Sequence, residues 1–431
     1  MRSLLVLLLD GLGDRADSAH GGRTANEAAH TPGLDALAAS GSTGLLLPLG
    51  PGRAPSSEVA HWAILGYRPS EFPGRAVFEA RGHGHSPADD HVLAYAALRT
   101  TELRDGALWA IGRAGRDDVD DARTLLGSIP GVTVDGLELE LCPLAPGRGE
   151  AVLVIAGGAH DGVTDSDPFF RDRHPILRPR GLVPEAAPTA RAAELWSRAT
   201  LRALARHPAN AARRRRGRPP LDAITLKWWG RPRQAPTFRA RHGLEGVLIA
   251  GSPFLAGVAA TIGLRFVHSA EGDEPAEALR DRLDLARAAF DGGATFAFCH
   301  LKATDEAGHT KDPAVKRSTI EALDGALDDL SDRFAESIVC VTGDHATPTS
   351  PEVIHSGDPV PFLLAGPGVR ADRVERFGEL YCAEGLLGRL TGADVMPVLL
   401  NAADRPLFLG SRPTAVPSPA GFPVDVEPLR P

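Results

Sequence analysis

Carboxylates and imidazoles recur in this sequence where short apolar runs end. Asp10-Gly11 follows the run 4–9, and Asp305-Glu306-Ala307-Gly308-His309 follows the run 294–300. Gly343-Asp344-His345 follows the run 336–342, and His355-Ser356-Gly357-Asp358 precedes the run 361–365. Asp and His four apart face one side of a helix or helical turn, as two ligands of one ion should. Oxygen and nitrogen donors without thiolate suit Mn2+ or Zn2+. Any one of these residues is equally well explained as a turn or surface group. Their recurrence at several strand ends is not. A different element is Ser56-Ser57-Glu58-Val59-Ala60-His61. A serine opening a helix lies among unpaired N–H groups, a place suited to an anionic phosphoryl group. Beside a metal its hydroxyl becomes a nucleophile. Taken alone, Ser57 is as well explained as a helix cap.

Elements must carry these groups to one place. Short Val/Ile/Leu-rich runs bounded by Gly, Pro or Asp predict buried strands at 3–9, 151–156, 222–227, 246–250, 294–300, 336–342 and 361–365. Helical spacing predicts helices over 190–206, 276–290 after Pro275, and 313–330 after Asp312. Alternating strands and helices imply an α/β fold, its mainly parallel sheet covered on both faces. A carboxylate at the C-terminal end of such a strand points into the crevice where open sheets bind ligands. The stretch 71–189 is richer in Gly, charge and short alternating segments. It reads as an inserted smaller α+β domain, leaving 1–70 and 190–431 to the main one. The proline-rich tail beyond about 411 reads as an irregular surface segment.

Composition narrows the class. A chain of 431 residues is too long for one ordinary core. Its net charge of −8 argues against nucleic acid as the main partner. No apolar run approaches the roughly 18 residues of a membrane span. The run Leu4–Leu9 stops at Asp10 with no cleavage site after it, so it reads as a strand and the protein as cytoplasmic. Cys142, Cys299, Cys340 and Cys382 lie far apart and read as free thiols, mostly buried. Lysine occurs only at 227, 302, 311 and 316. The oligomeric state has no signature in the sequence.

Taken in order, these elements resemble the archaeal-type, cofactor-independent phosphoglycerate mutases of the alkaline phosphatase superfamily. The residues carrying the likeness are Asp10-Gly11, Ser57 to His61, Lys302 to His309, Thr342 to Pro348 and His355 to Pro361. Connecting segments agree: Thr31 to Asp35, Ala63 to Tyr67, Gly74-Arg75, Arg113 to Arg116 and Thr164 to Pro168. The likeness spans residue 1 to about 400. It implies a phosphatase-like domain with two divalent metal ions and a smaller domain closing over it. By that match Asp305, His309 and His355 hold one metal, and Asp10, Ser57, Asp344 and His345 hold the other. Ser57 is the nucleophile and passes through a phosphoserine. The substrate implied is a small phosphorylated acid, with 3-phosphoglycerate and 2-phosphoglycerate interconverted. His61, Arg75, Arg113, Arg116, Asp165 and Lys302 are the implied substrate contacts.

The substrate half departs from the family pattern. Ala94 to Thr100 stands where the family has Arg-x-Asn-Phe-Ala-Thr, and Lys227-Trp228-Trp229-Gly230 where it has Arg-Gly-Ala-Gly. Replacement cations are available at Arg81, His83, His85, His160, Arg171 and Arg173. The departure motivates an alternative: a relative acting on a phosphoryl or phosphonyl group of another small acid, as in a phosphonate natural-product pathway.

Overall fold

The computed structural model describes residues 2–144, 147–168, 174–407 and 427–431. They divide into two compact units. One comprises Met1–Phe72, Ala235–Leu255 and Ala259–Pro431; the other comprises Pro73–Gln234 with Ala256–Val258.

The first unit is built on a sheet of eight strands. These are β1 (Ser3–Leu9), β2 (Ser42–Leu46), β9 (Gly246–Ala250), β10 (Arg265–His268), β11 (Phe296–Leu301), β12 (Ser337–Thr342), β13 (Val360–Ala365) and β14 (Gly388–Leu390). The spatial order is β10-β9-β11-β1-β12-β13-β2-β14. Only β13 runs against its neighbours. Leu4 to Leu9 are at most 3 % exposed, which explains why β1 is apolar at every position: both faces are covered. Register decides where the strands end. Leu9 lies opposite Leu301, and Leu8 opposite Thr342. Asp10, the segment from Lys302 and the segment from Gly343 therefore leave the sheet at one edge, from three neighbouring strands.

The second unit holds an antiparallel sheet. Its strands are β3 (Val92–Arg104), β4 (Ala107–Arg113), β5 (Val132–Val134), β6 (Leu137–Pro143), β7 (Glu150–Ala156) and β8 (Ala223–Gly230). The order is β4-β3-β7-β6-β5, with β8 also pairing β3. The helix Ala187–Arg206 buries Ala192, Ala193, Trp196 and Leu204 in this unit's core, beside Val92, Leu153 and Ile155.

The α/β expectation holds for the first unit, and the five strands expected there fall within two residues of their predicted bounds, while β2, β10 and β14 were not expected. Three expectations need correction. The second unit extends to Gln234, past the expected boundary at 189, because the helix 187–206 and β8 pack and pair within it. The runs 151–156 and 222–227 are indeed strands, but of the antiparallel sheet. The expected helix 313–330 ends at Asp324, and a separate turn of helix spans Leu330–Arg333. The proline-rich tail lies mostly outside the described residues. Three of the four cysteines are buried, Cys142 is half-buried, and all are free. No described helix is long and apolar enough to cross a membrane.

Candidate metal centre

Two groups of ligand-type side chains converge at the sheet edge. Asp305, His345 and His355 form one; Asp10, Asp344 and His345 form the other. Within each group the ligand atoms lie within 4.8 Å of one another. His345 belongs to both, its Nε2 lying 3.4 Å from Asp10 Oδ1 and 3.2 Å from Asp344 Oδ2.

Local structure makes this convergence possible. Gly11 adopts φ +65°, and a Cβ there would meet Thr347 Oγ1 at 2.5 Å and Asp305 Cα at 2.8 Å. Only glycine lets the turn after β1 pass this close to both ligand loops. The Gly11 N–H donates to Asp344 Oδ1 at 3.0 Å, and Thr304 Oγ1 donates to the Asp10 carbonyl. Thr347 Oγ1 donates to Asp305 Oδ1 at 2.8 Å and lies 3.1 Å from His345 Nδ1. The helix Ser57–Ile64 has its cap at Ser56, with no side-chain cap bond, so the Ser57 hydroxyl is not spent on capping. Ser57 Oγ instead lies 3.1 Å from His345 Nε2, beside the second group.

Electrostatics here fit a bound cation. Among the described residues, Asp10 Oδ1 and Asp344 Oδ2 are buried with no hydrogen-bond partner. Buried carboxylate oxygens facing one another without donors are costly, and a divalent ion is the natural remedy. Burial pushes the Asp344 carboxyl above its usual range. It also lowers His345 to about 3, so this imidazole is neutral and can donate a lone pair. Burial opposes the charge on Asp305, yet hydrogen bonds from His309 and His355 hold its carboxyl well below the usual range.

The sequence-predicted residues fall in three classes. Asp10, Ser57, Asp305, Asp344, His345 and His355 are brought together. His309 stands just outside: its Nε2 is 3.2 Å from Asp305 Oδ1, but His345 takes its place in the trio with His355. Lys302 lies at the rim, its Nζ 3.9 Å from Asp305 Oδ2. His61, expected at the substrate, is instead fully buried. Its Nδ1–H donates to the Ser57 carbonyl at 2.6 Å and it lies 3.5 Å from Asp344 Oδ2, among Phe254, Phe298 and His300. Burial, then the neighbouring His300, lowers it to about 4. Its Nδ1 braces the first turn of the helix 57–64, while its Nε2 has no hydrogen-bond partner among the described residues.

The other expected substrate contacts belong to the second unit. Arg75 pairs with Glu79 at 3.1 Å and lies over the Trp228 ring at 3.8 Å. Asp165 Oδ1 accepts the Trp228 N–H at 2.9 Å, in a corner where Trp228 holds φ +58°. Arg113 and Arg116 are exposed. Of the replacement cations, Arg81, His83, His85 and His160 are also in this unit, and Arg171 and Arg173 lie outside the described residues.

Sequence reasoning missed His300. Its Nε2–H donates to Asp10 Oδ2 at 3.1 Å, orienting that carboxylate. The available signal was a histidine inside the otherwise apolar run 296–301, which strand burial alone does not explain.

Comparison with known proteins agrees with this geometry. The model of the Metalloenzyme superfamily matches residues 2–402. The chain is 36% identical over 407 residues to a 2,3-bisphosphoglycerate-independent phosphoglycerate mutase of Methanoculleus marisnigri, covering 93% of this chain and 97% of that one. It is 32% identical over 425 residues to the second such mutase of Methanocaldococcus jannaschii, covering 96% and 95%. A solved structure from Pyrococcus horikoshii superposes with TM-score 0.77 at 29% identity, covering 95% and 99%. The cofactor-independent phosphoglycerate mutase of Thermoplasma acidophilum superposes with TM-score 0.63 at 28% identity, covering 94% and 100%.

Proposed function

Because the chain belongs to the Metalloenzyme superfamily, among the 2,3-bisphosphoglycerate-independent phosphoglycerate mutases, we propose that it interconverts 3-phosphoglycerate and 2-phosphoglycerate through a phosphoserine on Ser57. The observation that carries this reading is the Ser57 hydroxyl, free of capping duty and 3.1 Å from His345 Nε2, beside two converging ligand groups.

In this reading two divalent ions, Mn2+ or Zn2+, would be held by Asp305 and His355 with His309 adjoining, and by Asp10, Ser57 and Asp344, with His345 available to either. Such ions supply Lewis-acid charge neutralisation for the serine oxygen and the transferred phosphoryl group. The protein supplies the rest. Ser57 Oγ bonds to phosphorus as the bond from phosphorus to the C3 oxygen breaks. The serine proton ends on the departing oxygen, giving glycerate. The C2 hydroxyl then attacks the phosphoserine and the serine regains its proton, so no water enters the balance. The first turn of the helix 57–64 directs its N-terminal dipole at the phosphoryl group. His61 holds the Ser57 carbonyl, which fixes that turn, and His300 fixes Asp10. Lys302, half-buried at the rim, is the group suited to a phosphate oxygen.

The test follows 3-phosphoglycerate by 31P NMR with Mn2+-loaded protein. Appearance of 2-phosphoglycerate, abolished in Ser57→Ala, is expected. A folded, metal-replete protein that leaves 3-phosphoglycerate unchanged overturns the mutase reading.

A further inference from the structure

Three of the chain's four lysines lie between 302 and 316, and two of them are spent on backbone carbonyls. Lys316, on the helix Pro313–Asp324, is 0 % exposed. Its Nζ donates to the carbonyls of Gly11 at 2.9 Å, Gly13 at 2.7 Å and Thr347 at 2.8 Å. All three ammonium hydrogens are thus used, each on a carbonyl. Asp14 Oδ2, at 3.9 Å, is the nearest carboxylate oxygen and makes no hydrogen bond of its own among the described residues. Lys311 does similar work close by, donating to the carbonyls of Pro348 and Val353.

The three carbonyls are not arbitrary. Gly11 and Gly13 lie on the turn that carries Asp10. Thr347 follows Asp344 and His345, and its hydroxyl donates to Asp305. The two loops also bond directly, Thr347 N–H to the Gly13 carbonyl at 3.0 Å. One buried cation therefore ties together the backbones that present ligands of both groups. The same loops carry the carboxylates of Asp10 and Asp344, whose ligand oxygens lie within 4.8 Å of each other. Burying an ammonium is costly unless every donor is satisfied, and this one is satisfied only when both loops are in place. A guanidinium has planar forked donors and does not reproduce a tripod onto three carbonyls.

We propose that Lys316 is a positioning residue of the metal centre, an internal cation that locks the Asp10 turn against the Asp344–Thr347 loop so that the ligand cradle exists before metal arrives. This rests on reading the two converging groups as metal sites. It adds that the cradle's geometry is set by the chain and not moulded by the ion.

The test compares Mn2+ titrations of wild type, Lys316→Met and Lys316→Arg, each beside the melting temperature of the metal-free protein. Mn2+ affinity is expected to fall about 10–100-fold in either folded variant, the range typical when a group supporting a ligand is lost. A merely structural lysine would lower the metal-free melting temperature and leave the affinity of the folded protein unchanged. That result overturns the proposal. Hydrogen exchange of wild type decides independently of whether the variants fold. The amides of Gly11 and Thr347 should already exchange slowly without metal, and Mn2+ should slow them little further. Strong protection appearing only with Mn2+ overturns it as well. A wild type that binds no Mn2+ refutes instead the underlying metal assignment.

Discussion

Replacing Asp344 by asparagine should reverse the stability order of variant and wild type between metal-free and metal-loaded protein. Asp344 is 0 % exposed, and a ligand oxygen of its carboxylate lies within 4.8 Å of one from Asp10. Two unit charges at that separation repel by about 3 kcal/mol at the effective dielectric that suits protein interiors. Asparagine keeps the shape and the acceptor for the Gly11 N–H, and its amide offers a donor toward the orphaned Asp10 Oδ1. The metal-free variant should therefore gain roughly 1–3 kcal/mol over wild type. Metal works the other way. At a free concentration of 100 times the dissociation constant, one site stabilises the folded state by about 2.7 kcal/mol. For a unit of this size that is a rise of roughly 5–10 °C in melting temperature. The variant lacks a charged ligand and should keep only a small part of that rise. The assay is thermal unfolding in EDTA and across a Mn2+ titration. A metal-free variant less stable than wild type, or a metal-induced rise equal to that of wild type, would refute the view that these carboxylates are held in mutual repulsion for a cation.

Three further predictions rest on other side-chain contacts. His300→Ala removes the donor to Asp10 Oδ2 and should weaken Mn2+ affinity about 10–100-fold, measured by titration of the folded variant. Arg213→Ala removes a 2 % exposed guanidinium that pairs with Asp118 at 2.5 Å and Asp121 at 2.9 Å. It should cost about 3–5 kcal/mol in denaturant unfolding of the second unit. The same pairs set an acid limit. Burial favours protonated Asp118, but the Gly115 N–H and Arg213 outweigh it and hold the carboxyl below its ordinary 3.8. A depressed folded-state pKa contributes stability that is present above the unfolded value and lost as pH falls through the folded one. Acid unfolding below about pH 3.8 should thus include a step in wild type that Arg213→Ala lacks.

What escaped the sequence has physical causes. The run 151–156 is as apolar as the strands of the first unit and Ala223 to Leu226 are buried like them, and burial does not identify the partner strand. The boundary at 189 failed for that reason: β8 looked like a return to the main sheet, whereas its partner is β3. The resemblance placed His61 at the substrate, one helical turn after Ser57. That same spacing turns its Nδ1–H back onto the Ser57 carbonyl. His300 and Lys316 escaped because each lies within an element whose pattern already had an explanation, a buried strand and an amphipathic helix. A polar residue inside a well-explained element is the signal in both cases.

The legible part rests on sheet geometry. Asp10, Asp305 and Asp344 are about 295 and 40 residues apart, distances at which no local pattern operates. Their strands are nevertheless neighbours, in the order β11-β1-β12, and all three are parallel. Parallel strands end at the same edge, so a carboxylate within a few residues after each run shares an edge with the others wherever the strands fall in the sheet. His355 breaks the pattern, since it precedes its strand rather than following it. The exception resolves itself in the direction of β13, which runs against β12 and β2 and so brings its N-terminal end to the edge where the others finish. A ligand before an antiparallel strand is thus equivalent to a ligand after a parallel one. Strand direction, more than strand order, made the site readable before the structure was known.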